Sequence, residues 1–390
     1  IPEQEGEGGP GLNTSMFDEG LFWEAGFHYG NLWPHSKSLE HLLRSHLSFI
    51  QLTAFKSTSG SRDWHQLYGF PDIGLGIMTG DLGYPQVLGR VWAVIPQVRI
   101  PVTGTNKLQL TLRHGFGLGY LTRSFDRLEN YRNNAIGSHL NIAFMSRLEL
   151  GVSLGKNMRL SAGVGLMHFS NGAVRKPNKG VNIPLANLGV QWGGGEAPPK
   201  KNHADPEEMA GTEQAFYSFS LAGGVSRIDH QDETLYGAFS LGSSVSIPIS
   251  RKRRLGIGAD LFLNGADRQI LGRELPETPS WSRVLKAGVH LGYEQVFGRL
   301  DFLLHTGYYL HARQKDHGPI YNRIGFRYHA GRHYTVQLGL KTHVFTASYI
   351  ELGAGFRFGK ANGTDLAKPN RASFLLGQRH WGKNHVTPDQ

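Results

Sequence analysis

The 390-residue chain contains no cysteine, which excludes disulfides and thiolate metal sites. No run of roughly 18 uncharged apolar residues occurs, so a spanning helix is excluded, whereas spanning strands, whose apolar residues alternate with polar ones, are not. The formal net charge is +10, but Lys and Arg are scattered rather than gathered into one stripe. No recognition helix or stacking motif accompanies them, so a phosphate-bearing lipid surface, not nucleic acid, is the expected acidic partner.

Taken in order, residues 1–20 are rich in Gly and Glu and read as a flexible lead-in. The chain starts at Ile1 rather than Met, which a cleaved export signal would explain, as would a trimmed start. Strand candidates follow at 21–32, 45–57, 68–80 and 87–101, with one or two helical turns between the first two. From 106 the alternation is clear. Leu108, Leu110, Leu112, Phe116, Leu118 and Tyr120 share one face, and Lys107, Gln109, Thr111, Arg113 and Gly115 share the other. Residues 139–155 repeat it, with Leu140, Ile142, Phe144, Leu148 and Leu150 opposite Asn141, Arg147 and Glu149. A Leu and aromatic face opposite a charged and glycine face is what a lipid-out, polar-in wall requires.

Further candidates are two strands within 159–192, separated by a polar basic loop at 172–181, and then 215–227, 235–250, 254–264, 283–297, 300–312, 320–329, 334–344 and 349–358. The last strand ends in Phe358, like the terminal strands that bacterial outer-membrane barrels use for insertion. Short turns and longer loops alternate, as periplasmic turns and extracellular loops do. The expected fold is therefore all-β: a transmembrane antiparallel β-barrel over 21–358, with about 14 strands (range 12–16). Residues 359–390 read as a polar tail. A Gly/Pro/charged link at 193–213 falls on the short-turn side, an irregularity that the alternation of turns and loops does not explain.

The informative stretch runs from Arg159 to Trp192. Leu160, Ala162, Val164 and Leu166 occupy one face, and the same parity continues to His168 and Ser170. A hydroxyl and an imidazole thus stand at the end of a lipid-facing stripe, where an ester buried in a leaflet could meet them. His168-Phe169-Ser170-Asn171, followed by a loop with Pro177-Asn178-x-Gly180, resembles the lipid A 3-O-deacylase (PagL) family of outer-membrane barrels. The resemblance covers about 160–192 and implies an enzyme, a carboxylic ester hydrolase acting on lipid A. It implies Ser170 as nucleophile, His168 as base and Asn171 as the oxyanion residue. The chain is much longer than the small eight-stranded family type, so a wider barrel is expected. Where the family has a glutamate to orient the histidine, the register here holds Asn182, on the same outer face. An amide can orient an imidazole but cannot compensate its charge, and that exchange costs ~10⁴ in rate in a serine triad.

Arg175, Lys176 and Lys179 are candidates for holding lipid A phosphates, or else a solvated loop. The nineteen histidines show no convincing ligand spacing, so neither metal nor other cofactor is expected. Three readings follow. One is an outer-membrane lipid esterase whose partner is lipid A or lipopolysaccharide in the outer leaflet. Another is a non-catalytic barrel, acting as scaffold or as subunit of a membrane complex, with a protein partner on the wall or the 359–390 tail. The third is a porin-like channel.

Overall fold

The computed structural model describes residues 20–359 except 106, 156, 194–214, 276, 315–317 and 345. Nearly all of the tail, the lead-in and the link therefore lies outside the described residues. The fold of the described residues is all-β and antiparallel, with sixteen strands. The first eight are β1 (Leu21–Gly30), β2 (Leu47–Ser57), β3 (Asp72–Asp81), β4 (Arg90–Gly104), β5 (Leu108–Leu121), β6 (Leu140–Ser153), β7 (Met158–Ser170) and β8 (Val181–Trp192). The second eight are β9 (Phe216–Ser226), β10 (Tyr236–Ser250), β11 (Arg253–Asn264), β12 (Lys286–Phe297), β13 (Leu300–His311), β14 (Ile320–His329), β15 (Tyr334–His343) and β16 (Thr346–Phe358).

The wall closes twice. β8 pairs back onto β1, with Trp192 opposite Trp23, and β16 pairs back onto β9, with Phe358 opposite Tyr217. The 21–358 region is thus two eight-stranded barrels rather than the single wide one expected from the strand count. An even number of antiparallel strands lets the first and last run in opposite directions, as their pairing requires. The second closure also accounts for the long link on the short-turn side, because that link joins two barrels. A second difference lies after β11. The segment read as loop holds a helix, Gly265–Glu274, whose first turn is capped by the Asn264 side chain accepting from Ala266 N at 3.0 Å.

Eight strands enclose a lumen just wide enough for side chains to fill, and both lumens are filled. In the first barrel, the end near the long loops holds an apolar cluster including Leu39, Phe49, Ile95, Met145, Phe169 and Ile183. Below it, Glu24 is paired with Arg113 and with Arg99 (3.3 Å), Arg99 with Asp72 (2.8 Å), and Arg147 with Glu149 (3.2 Å). In the second barrel Asp260 accepts from Arg323 (3.1 Å), His290 (2.6 Å) and Tyr321 (2.7 Å). Lower down, Asp301 meets Arg254 (3.0 Å) and His329 (2.6 Å). The inward charges are largely paired with one another across each lumen, an arrangement that weighs against the porin-like reading.

Outward, Ile50, Leu52, Ile77, Val164 and Leu188 are exposed on the first barrel, and Leu221, Ile257, Leu291 and Leu352 on the second. Exposed aromatics flank this belt, with Trp92 and Tyr120 at the loop end and Trp23 and Trp192 at the turn end. Apolar bands between aromatic girdles are the outer surface of a membrane barrel.

The barrels touch at both ends. On the turn side the Tyr68 ring stacks on Phe297 (centroids 4.6 Å apart) and its hydroxyl donates to Val296 O at 2.8 Å. Burial there pushes the Tyr68 hydroxyl up to about 12. On the loop side Lys176 Nζ donates to Ile228 O (2.8 Å), Arg227 Nε to Val174 O (2.8 Å) and Arg127 Nη2 to His230 O (2.8 Å).

Candidate functional site

The antiparallel register of β7 and β8 sets His168 directly opposite Asn182. Both side chains point out of the barrel, because Met167 and Phe169 on one strand and Val181 and Ile183 on the other are buried in the lumen. His168 Nδ1 and Asn182 Oδ1 are 2.6 Å apart. An amide oxygen only accepts, so Nδ1 carries the proton and Nε2 is left with its lone pair, which is the tautomer of a general base. The amide is itself oriented: Asn182 Nδ2 donates to His35 Nδ1 at 3.0 Å. His35 lies between β1 and β2 and is 147 positions away. Nothing in the local pattern around either residue signals this contact, and sequence reasoning missed it.

Ser170 closes β7 and is buried, with 6% exposure. Its Oγ accepts from Asn178 Nδ2 at 2.9 Å and from Gly172 N at 3.2 Å. Asn178 Oδ1 in turn accepts the Asn171 N–H at 3.0 Å. Asn178 is therefore a residue of the site that was visible only as part of the loop motif. Among the described residues no hydrogen bond joins His168 to Ser170. Such contacts are often loose without substrate and tighten on binding. The two share a face at i and i+2, and rotation of the serine hydroxyl away from Asn178 is the movement a proton transfer requires.

The loop from 171 to 180 is shaped by two glycines. Gly180, at φ 78°, passes directly over the imidazole, where a Cβ would stand 2.7 Å from His168 Cε1. Gly172, at φ 62°, faces the second barrel, where a Cβ would stand 2.4 Å from Ile350 Cγ1. Neither position tolerates a side chain. The Asn171 side chain is directed away from the serine, donating to Ser138 Oγ and Arg175 O, both at 2.8 Å. It fastens the loop, and the donors nearest the Ser170 hydroxyl are Asn178 Nδ2 and Gly172 N.

Of the three basic residues, Arg175 and Lys179 are exposed on the loop and Lys176 is half-buried. Lys176 reaches Ile228 O in the second barrel, while Lys179 Nζ contacts Ser38 Oγ. Glu149 and Glu351 are buried inside their barrels, so neither carboxylate lies behind His168. Among the described residues no group of three or more His, Cys, Asp or Glu side chains is placed to hold a metal ion.

Closed antiparallel walls with apolar belts, aromatic girdles and charge-filled lumens define a β-barrel protein of the Gram-negative outer membrane. Residues 49–191, β2 to β8, match the family "Lipid A 3-O-deacylase (PagL)", and residues 215–360, the whole second barrel, match "Acyloxyacyl hydrolase, C-terminal domain". The chain belongs to this family of outer-membrane barrels, whose two names both describe carboxylic ester hydrolases. Among solved structures, "Crystal structure of the outer membrane enzyme PagL" is similar at 15% identity and TM-score 0.30, covering 43% of this chain and 97% of that one. Neisserial surface protein A (NspA) is similar at 10% identity and TM-score 0.31, covering 45% of this chain and 97% of that one. No curated protein matches the chain.

Proposed function

We propose that the first barrel is a lipid esterase that removes an ester-linked acyl chain from lipid A in the outer leaflet. The observation that carries this reading is the His168–Asn182 contact of 2.6 Å. It leaves Nε2 as a base on the same outward face as Ser170, where the lipid-facing stripe ends.

In this mechanism Ser170 Oγ attacks the ester carbonyl while His168 Nε2 takes its proton. The carbonyl oxygen becomes an oxyanion, held by Asn178 Nδ2 and the Gly172 N–H, with the Asn171 main chain beside them. The C–O bond to the sugar breaks, His168 returns the proton to the leaving alkoxide, and water then hydrolyses the acyl-serine by the same route. Asn182 fixes the imidazole tautomer without neutralising the imidazolium. Arg175, Lys176 and Lys179 stand on the loop beside the serine, where lipid A phosphates would approach.

The test is mass spectrometry of lipid A incubated with the purified chain, beside Ser170→Ala. Loss of one acyl chain, abolished by the substitution, is the expected result. The amide at Asn182 favours a second reading, a barrel that keeps the wall but not the turnover. Lipid A and a generic ester probe both left intact by the unsubstituted chain would establish that reading instead.

A further inference from the structure

We propose that the second barrel forms one wall of the acyl-chain slot, so that the cleaved chain lies between the two barrels. The inference rests on the esterase reading of Ser170 and adds where its substrate lies.

The outward residues of the first barrel are not equally open. Val164, halfway along β7, is 63% exposed, and Leu188 on β8 is 62% exposed. Towards Ser170 this changes. Leu166 on β7 and Ile142 and Phe144 on β6 point outward by parity, yet all three are half-buried. The register sets Ile142 opposite Ser170 and Phe144 opposite His168, so these are the apolar side chains that flank the site. The second barrel shows the reciprocal pattern. Leu352 on β16 is 63% exposed, whereas Ile350, two residues nearer the loop end, and Leu340 on the paired β15 are half-buried.

Two contacts bracket this region. Gly172, whose N–H reaches Ser170 Oγ, lies against Ile350 and Leu340. Phe116 on β5 meets Phe326 on β14, ring centroids 5.1 Å apart. Beside these contacts, Ile142, Phe144 and Leu166 on the first barrel and Leu340, Ile350 and Phe326 on the second are all outward by parity and half-buried. This is a two-sided aliphatic and aromatic seam whose end is the nucleophile. A saturated chain is the ligand such a surface takes: it offers apolar area and no hydrogen bonds, and only a two-walled seat removes most of its surface from competing lipid. The three loop-side hydrogen bonds between the barrels hold the walls at this spacing. The open concavity around Phe27, Ile50 and Leu188 has one wall only, and ordinary lipid tails cover it equally well.

The full chain carrying Ser170→Ala is mixed in detergent with a phosphorylated glucosamine lipid whose ester-linked chain bears a mid-chain diazirine, then irradiated. Peptide mass spectrometry is expected to find adducts on the peptides of Phe326, Leu340 and Ile350, together with those of Leu166. Adducts confined to the open wall around Leu160 and Leu188 would overturn the proposal. In the catalytically intact chain, Ile350→Trp and Leu340→Trp are each expected to lower the ratio of kcat/KM for long-chain over short-chain esters by at least about tenfold. An unaltered ratio in both variants would also overturn it. If the unsubstituted chain cleaves no ester, the esterase reading falls, and the adduct map alone decides whether the second barrel holds the acyl chain.

Discussion

The two barrels share strand number, closure and an outward apolar belt, yet they differ at the corresponding end of the seventh strand. In the first barrel β7 runs out as His168-Phe169-Ser170, with the two polar residues on the lipid face and a loop folded over them. In the second, β15 runs out as Lys341-Thr342-His343. Its histidine is 2.8 Å from Ser348 Oγ and 3.0 Å from the Tyr309 hydroxyl, and Lys341 also bonds to Tyr309 at 2.7 Å. The wall is the same, but the polar groups are spent on one another. Chemistry therefore comes from which face of the strand end the residues occupy and from the loop above it, not from the barrel.

This contrast can be broken or sharpened by substitution. Ser170→Ala has the largest expected effect, a loss of at least ~10³ in ester turnover, whereas His343→Ala leaves turnover unaltered; equal losses in a single ester assay would erase the distinction. Next is stability. Glu24 holds Arg113 and Arg99 in the first lumen as Asp260 holds Arg323 in the second. Glu24→Leu and Asp260→Leu each strip one carboxylate from buried cations, Arg99 keeping Asp72, Arg113 keeping Glu149 and Arg323 keeping Glu351, at a cost of up to about 3–5 kcal/mol. Denaturant midpoints followed by the mobility shift of folded barrels on unheated gels read this out. Similar drops for both are expected, since the ion networks are built alike.

Asn182→Glu tests the site from the other side. A carboxylate there compensates the imidazolium that the amide cannot, and kcat is expected to rise by about tenfold or more, a fraction of the ~10⁴ the reverse exchange costs in serine triads. No gain would mean that charge on His168 does not limit the reaction. The smallest effect is expected at the turn-side contact. Tyr68→Phe removes the hydrogen bond to Val296 O but keeps the stack on Phe297, for about 1 kcal/mol in the unfolding midpoint.

Much of this was legible in the sequence. Two-residue alternation located all sixteen strands to within a few residues, and in β6 it separated outward Leu148 and Leu150 from inward Arg147 and Glu149. It also set His168, Ser170 and Asn182 on one face. Closure was not legible, because the pattern of a strand states which face meets lipid and not which strand lies beside it. Trp23 and Trp192 pair across almost the whole first barrel, and no local signal marks them as neighbours. The helix Gly265–Glu274 is short, flanked by glycine and weakly amphipathic, so it read as loop. His35 and Asn178 escaped for the same reason as the closure: their roles rest on contacts made across the fold.

The link between β8 and β9 has one more consequence. Two separate barrels in a membrane find each other by diffusion, and the fraction assembled falls as they are diluted. Joined in one chain, they meet at a concentration set by the tether and not by expression. Every Ser170 is thereby supplied with its own Ile350 at a fixed stoichiometry of one to one, and specific activity per chain should stay level as the protein is diluted through detergent or lipid.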